Sequence, residues 1–466
     1  MQTRGITDFT TGSIPRHLIR FAMPMFLGNL LQAAYNTVDS IWVGRFLGPD
    51  SLAAVSVGFP IIFALVALVA GLTMATTTLV SQYYGAKDNQ MVSLTIANSM
   101  TVMTAAGIVL AVLGYLVRWP MLRLLRAPVN IMDEAATYLG IYMLGLIPTL
   151  IYNVSSAILR GLGDSRSPMT FLAAATLTNI VLDPLMIFGI GPFPSMGVAG
   201  AAWATVISQT LSAVLAVQHM LGKLGVASHL RDLVRFDGKL TATTVRIGLP
   251  AGAQQMLVSL GMMAVMSTVN SFGSVVVAGA GAGSRIEQFA FMPSMSVSLA
   301  VTALVGQNIG ANRYERVPLI VRWALILGCS IAAVAAAVAQ LVPKVVLSVF
   351  TDDAAVLAAG AGYLRWLSMA WVPFAANFVF MGVLRGAGDT LPTLFITLAG
   401  LWAVRVPLVK VLALTDLGAV GVWIGMASSP VFSVIASYAY YRSGRWRRRR
   451  LVPEERPPQG GTIPEN

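Results

Sequence analysis

The feature that most limits what this chain can fold into is a succession of twelve apolar stretches, each long enough to cross a bilayer. They run at roughly 17 to 46, 51 to 84, 92 to 117, 130 to 158, 168 to 190 and 196 to 222, then at roughly 241 to 271, 276 to 309, 318 to 342, 355 to 383, 391 to 414 and 418 to 441. A hydrocarbon core of about 30 Å needs about 20 apolar residues in helical form. The backbone inside it has no water to bond, so each stretch must close its hydrogen bonds on itself. The residues left over are too few for a soluble domain. Composition agrees, with 56% hydrophobic and 11% charged residues against about 45 to 50% and about 25% in soluble proteins. The fold class expected is therefore all-α integral membrane. Residues 1 to 16 are polar, and the first apolar run is too long for a leader and lacks a small-residue cleavage site, so it is expected to stay as a span.

A formal charge of +12 on a soluble protein would suggest nucleic acid as partner. On a membrane protein its distribution matters more, and cytoplasmic loops are the basic ones. With both termini cytoplasmic, the inner loops hold Arg4, Arg16, Arg20, Lys87, Arg160, Arg166, Lys223, Arg231, Arg235, Lys239, Arg313, Arg316, Arg385 and the terminal "RSGRWRRRR"; Arg118, Arg123 and Arg126 fall on the outer side, in a segment that suits the interface. The arginine-rich end reads as a topology anchor followed by a disordered Pro-rich tail, with binding of anionic lipid as the sharper alternative. Nucleic acid is not expected as a partner.

Several chemistries are excluded by residue supply. Cys329 is the only cysteine, and His17, His219 and His229 lie far apart without acids at ligand spacing, so no disulfide and no zinc or iron site is expected. The same scarcity argues against a membrane-embedded enzyme. The run "GAGAGS" at 279 to 284 lies inside an apolar span without a preceding strand, and reads as close helix packing rather than a phosphate loop. No cofactor is expected, and energy for any transport must come from something other than ATP bound to this chain.

Sliding the chain along itself by 225 residues reveals an internal repeat. "SQYYGAKD" (81 to 88) falls on "GQNIGANR" (306 to 313), "LRGLGD" (159 to 164) on "LRGAGD" (384 to 389), Pro148 on Pro373, Gly48 on Gly273 and Ala53 on Ala278. The register drifts slightly outside that interval, where Pro24 pairs with Pro250, Pro184 with Pro407 and Gly200 with Gly421. Two homologous six-helix lobes follow. Because each has an even number of spans, both enter the membrane in the same direction, related by a pseudo-two-fold axis along the membrane normal. The expected organisation is a cytoplasmic N-terminal segment 1–16, a first lobe 17–222, a cytoplasmic linker 223–240, a second lobe 241–441 and a basic, disordered cytoplasmic tail 442–466. Two such lobes leave a cavity between them and can rock against each other, the geometry of alternating access.

The repeat also tests which polar residues the fold itself requires. Asp39, Asp183 and Glu287 are the only carboxylates well inside spans; Asp39 falls on Ala264, and Asp183 falls on Val406 when the prolines are aligned. A lobe can thus be built without either aspartate. A centrally placed Asp costs about 2.5 to 3.5 kcal/mol on insertion scales, and such residues usually face a cavity or a partner. Asp39 and Asp183 both sit about two turns before the outer ends of their spans. Tyr35 and Asn179 stand four residues before them on the same helical faces, and Thr205 reaches a similar depth on the sixth span. Two carboxylates close together in low dielectric either share a proton or share a cation. Pro184, beside Asp183, removes a helix hydrogen bond and marks a hinge. The competing reading is interhelical hydrogen bonding, strongest for Asn179 and Thr205.

The combination "YNTVDSIWVGRFLG", "NIVLDP", the paired "LRGxGD" loops and "GQNIGA" resembles the multidrug and toxic compound extrusion family of cation-coupled exporters, prokaryotic type, across all twelve spans. The resemblance implies a multi-pass protein of the prokaryotic cytoplasmic membrane, working as a monomer among membrane lipids. It would export amphipathic, often cationic small molecules by antiport with H⁺ or Na⁺. By the same resemblance the coupling-cation residues are Tyr35, Asp39, Asn179, Asp183 and Thr205, with Na⁺ coordination open to Asp39, Asp183, Asn179 and Thr205. Some relatives carry a further site on acids of the seventh and tenth spans; this sequence has no acid in either. Glu287 follows Arg285, so a pair with it or with Arg405 competes with substrate contact. Gln255, Met263, Glu287 and Met292 are the candidate lining of the substrate cavity, since flexible polarizable side chains suit a promiscuous pocket. The alternative within the wider superfamily is a flippase for a lipid-linked saccharide or lipid, which calls for a cationic cavity.

Overall fold

The computed structural model describes residues 6–222, 234–449 and 451. Among the described residues twelve long helices carry the chain: α1 (Ile14–Trp42), α2 (Pro49–Gly85), α3 (Asn89–Leu124), α4 (Met132–Gly161), α5 (Arg166–Phe188) and α6 (Val198–Gly222), followed by α7 (Gly238–Asn270), α8 (Ser274–Gly310), α9 (Val317–Leu341), α10, α11 (Leu391–Ala413) and α12 (Ala419–Arg442). α10 is a bent pair, Ala354–Ser368 and Trp371–Gly386, with 47° between its halves. Pro373, third in the second half, lacks the amide that would continue the ladder. Among the described residues there is no strand. Ten helices, or eleven counting the bent pair, are long and apolar enough to span on composition alone. α1 completes the twelve. It is less apolar because it carries Asn29, Gln32, Asn36 and Asp39.

Acids cap the helices where they leave the membrane. Asp88 accepts from the Met91 amide at the start of α3, and Asp237 from the Leu240 amide at the start of α7. The repeat persists in backbone detail. Gly163 and Gly388, which the 225 offset superimposes, both adopt positive φ (88° and 80°), as do Lys87 and Asn312 (60° and 62°).

Packing does not respect the lobe boundary at one end of the bundle. The first turns of α1 (Ile14, Leu18, Phe21, Ala22) belong to a core with α8, α9 and α10, while Leu240 and Ile247 of α7 join the first-lobe core. α1 and α7 thus each begin in the opposite lobe. Two glutamines seal this crossover. Gln82 Nε2 of α2 donates to the Gly386 carbonyl of α10 (2.9 Å), and its repeat equivalent Gln307 of α8 donates to the Gly161 carbonyl of α4 (3.0 Å). Each glutamine oxygen then takes an amide from a chain terminus, Leu451 N–H on Gln82 (3.1 Å) and Phe9 N–H on Gln307 (2.9 Å). Both glutamines are fully buried. Glycine is required on both sides: a Cβ on Gly85 would overlap the Gln307 carbonyl oxygen, and one on Gly310 the Gln82 carbonyl oxygen.

The first part of the tail is not disordered, contrary to expectation. Arg445–Arg449 form a short 3₁₀ turn in which Trp446 is 1% exposed, stacks on Tyr441 and donates its indole N–H to the Tyr441 carbonyl (3.0 Å). A buried aromatic that satisfies its own N–H outweighs the basic flank around it. Residue 450, residues 452–466, residues 1–5 and most of the expected linker, 223–233, lie outside the described residues.

Candidate functional site

The polar residues singled out in the first lobe converge on one region of α1, α5 and α6. α5 starts from Asp164, whose Oδ1 accepts the Arg166 and Ser167 amides (3.0 Å each). The 3.6-residue period then lays Thr176, Asn179 and Asp183 along one buried stripe. Asn179 Nδ2 donates to Asp183 Oδ1 at 3.1 Å, and Tyr35 Oη of α1 donates to Thr205 Oγ1 of α6 at 3.0 Å. Asn179 and Asp183 are fully buried; Asp39 is half-buried and acts electrostatically on Asp183.

Hydrogen-bonding capacity is left over. Among the described residues, Asp39 Oδ1, Asp183 Oδ2, Asn179 Oδ1, Thr176 Oγ1 and Ser208 Oγ are buried without a partner. An unsatisfied buried polar group costs about 1–3 kcal/mol, more if charged. Two carboxylates with amide and hydroxyl oxygens, some unpaired, make a set that fits a proton or a small monovalent cation. Among the described residues no cluster of three or more His, Cys, Asp or Glu could hold a metal ion. Pro184 lies inside α5, which runs to Phe188 as one helix.

Sequence reasoning missed four members of this region. Thr176 and Ser208 stand three residues from Asn179 and Thr205, a helical spacing that would have found them. Tyr138 and Tyr142, both on α4 and both within the electrostatic reach of Asp39, gave no charge signal in a span rich in apolar residues.

A second feature lies between the lobes, toward the end opposite the glutamine seal. A cavity of about 760 Å³ is lined by Asn29, Gln32, Ala33 and Asn36 of α1, by the far half of α7 and by α8, including Met262, Met263, Met266, Met292 and Met295. Among the described residues Glu287 is the only charged one in that lining. An adjoining cavity of about 320 Å³ in the second lobe is lined by Gln255, Glu287, Phe291, Trp371, Phe374, Arg385 and Arg405. All four proposed lining residues therefore face one cavity or the other: Met263 and Met292 the first, Gln255 the second, Glu287 both. Glu287 Oε2 accepts the Tyr363 hydroxyl at 2.5 Å, and neither Arg285 nor Arg405 comes within ion-pair distance of it among the described residues. α1 connects the two features, with Tyr35 and Asp39 in the polar region and Asn29, Gln32 and Asn36 on the cavity.

Two homologous helical lobes sealed at one end, with a cavity between them and buried acids inside one, have the architecture of a membrane transporter. The family model described as MatE matches residues 24–185 and 250–411, one match in each lobe. The chain belongs to that family. It is 34% identical over 448 residues to the probable multidrug resistance protein YpnP of Bacillus subtilis, covering 96% of this chain and 99% of the relative. It is 27% identical over 444 residues to the probable multidrug resistance protein NorM of Thermotoga maritima, covering 95% of each. Among solved structures, the outward-facing conformation of a multidrug resistance MATE family transporter of the MOP superfamily superposes with a TM-score of 0.88 at 25% identity, over 96% of this chain and 99% of that one.

Proposed function

We propose that this protein is a secondary antiporter of the cytoplasmic membrane, working as a monomer, that exports amphipathic, cationic small molecules in exchange for H⁺ or Na⁺ by alternating access. Family membership and the relatives' names support multidrug export. The observation that carries the coupling is the sharing of α1: a single helix presents Asp39 to the polar region and Asn29, Gln32 and Asn36 to the interlobe cavity. A cation or proton taken up beside Asp39 and Asp183, with Tyr35, Asn179 and Thr205 supplying further oxygens, shifts α1 and α5, with Pro184 as the weak point of the latter. The cavity lining moves with α1, and the substrate is released outward. Sealing at the end where Phe9 and Leu451 meet the two glutamines supports assignment of the structure to the outward-facing state. Organisation into lobes 17–222 and 241–441 fits the same scheme.

Everted membrane vesicles holding an imposed ion gradient and no drug test the antiport. Drug addition should dissipate an imposed H⁺ gradient or an imposed Na⁺ gradient, the two being imposed separately. No dissipation of either sinks the coupling. The flippase alternative calls for a cationic cavity; the adjoining second-lobe cavity carries Arg385 and Arg405 beside Glu287, whereas the larger interlobe cavity has Glu287 as its only charged lining among the described residues, which favours cationic drugs there. Accordingly Glu287→Gln should weaken binding of a cationic dye by about tenfold, or about 1.4 kcal/mol, and leave a neutral dye of the same shape unaffected. Equal losses for both dyes would show that Glu287 serves packing through Tyr363 instead.

A further inference from the structure

The transport scheme leaves the docked arginine turn unexplained. It borders a groove of about 620 Å³ between α11 and α12, at the sealed end of the bundle. Leu391, Phe395 and Ile396 of α11 and Ala436 of α12 form its apolar walls, and Arg445 and Arg449 form its rim. The walls open outward from the bundle: Phe395 is 61% exposed and Leu391 43%. A smaller adjoining cavity adds Arg246 and Arg448 to the same edge.

Charge on this rim is not balanced by the protein. The carboxylate present, Asp389, accepts the Tyr440 hydroxyl (2.6 Å) and pairs with Arg449 at 3.8 Å. Arg246, Arg445 and Arg448 have no carboxylate within 4.0 Å among the described residues. The arginines are also held in place, because buried Trp446 pins the turn between them. A flexible topology anchor needs no such fixing.

An apolar groove open to the bilayer is filled by lipid, so the question is which headgroup lies at its rim. We propose that this groove is a binding site for an anionic phospholipid, its phosphodiester between Arg445 and Arg449 and an acyl chain along Phe395, Ile396 and Ala436. Arginine matches phosphate oxygens with paired N–H donors, and basic residues next to a membrane span favour anionic over zwitterionic lipid. Among the described residues the first lobe has no equivalent: its Asp164, the repeat counterpart of Asp389, meets His219 at 3.7 Å and Ser167.

Native mass spectrometry of the full-length detergent-solubilised protein tests this with dioleoylphosphatidylglycerol and dioleoylphosphatidylcholine at equal concentration. The anionic lipid should be retained at least about tenfold more, consistent with the preference a basic rim confers. Arg445→Gln breaks no ion pair, and Ala436→Phe fills the groove but leaves every arginine in place; each should erase most of that preference. Equal retention of the two lipids by the unaltered protein overturns the proposal, as does a preference that survives both variants. If millimolar inorganic phosphate displaces the lipid and Ala436→Phe has no effect, the rim is a free-phosphate site and the lipid assignment falls.

Discussion

In vesicles, Asp183→Asn is expected to lower gradient-driven export by at least about a hundredfold while the protein remains folded and still binds drug. A hundredfold corresponds to about 2.7 kcal/mol at 1.36 kcal/mol per decade, which is reasonable for the loss of the group that takes the driving ion. The substitution is a clean one. The new side chain keeps an oxygen for Asn179 Nδ2, which now donates to Asp183 Oδ1 at 3.1 Å. Its amide nitrogen brings a donor into a region with unpartnered acceptors such as Asn179 Oδ1 and Ser208 Oγ. A buried charge is removed and nothing is left unpaired that was paired before, so thermal stability should hold or rise. What disappears is the ability to bind a proton or a cation. Asp39→Asn should do the same, and the double variant should be little worse than either single, because groups that act as a unit are not additive. The measurement is counterflow of drug in proteoliposomes beside uptake driven by each gradient. Full coupled export in either single variant would remove these aspartates from the mechanism.

Much of this architecture was legible before any coordinates, and for a physical reason. Bilayer thickness and the need to satisfy the backbone leave few alternatives for twelve apolar stretches, and the repeat shows that Asp39 and Asp183 have apolar counterparts in Ala264 and Val406. A charge the fold does not need is a charge that needs another explanation. Other features were illegible. Gln82 and Gln307 lie in the repeated "SQYYGAKD" and "GQNIGANR", yet nothing local says that each crosses to the other lobe to meet Gly386 and Gly161. Long-range pairing of this kind has no periodicity to betray it. The tail misled for a related reason: six arginines in "RSGRWRRRR" outweigh one tryptophan in composition, whereas burial of Trp446 decides the structure. Tyr138 and Tyr142 were lost among apolar neighbours, since a tyrosine reads as core until a carboxylate is found beside it.

The glutamine seal supplies the other large expected effect, and here two kinds of substitution should move the carrier in the same direction by different routes. Gln82→Ala deletes the donor to Gly386 and the acceptor for Leu451, leaving a buried carbonyl and a part-buried amide unpaired in the sealed state only. At about 1–3 kcal/mol for each such group, a seal held by a few kcal/mol shifts from mostly closed to substantially open, since every 1.4 kcal/mol is tenfold in population. Gly310→Val acts by overlap, because even its Cβ would occupy the position of the Gln82 carbonyl oxygen, which is backbone and cannot swing away. Thr78 lies within the same interface, its hydroxyl 2.9 Å from the Arg385 carbonyl, so a cysteine placed there in a Cys329→Ser background reports access. A membrane-impermeant maleimide should label Cys at 78 slowly in the otherwise unaltered protein, about tenfold faster with Gln82→Ala, and completely with Gly310→Val. Labelling should be confined to the membrane face that carries the two termini, so everted and right-side-out vesicles also decide the orientation inferred from the basic loops. Export should fall in both variants, because a carrier that cannot reseal one side cannot hold a gradient across its cycle. Unchanged labelling with Gln82→Ala in a folded protein would mean that the reciprocal glutamines decorate an interface held closed by glycine packing alone.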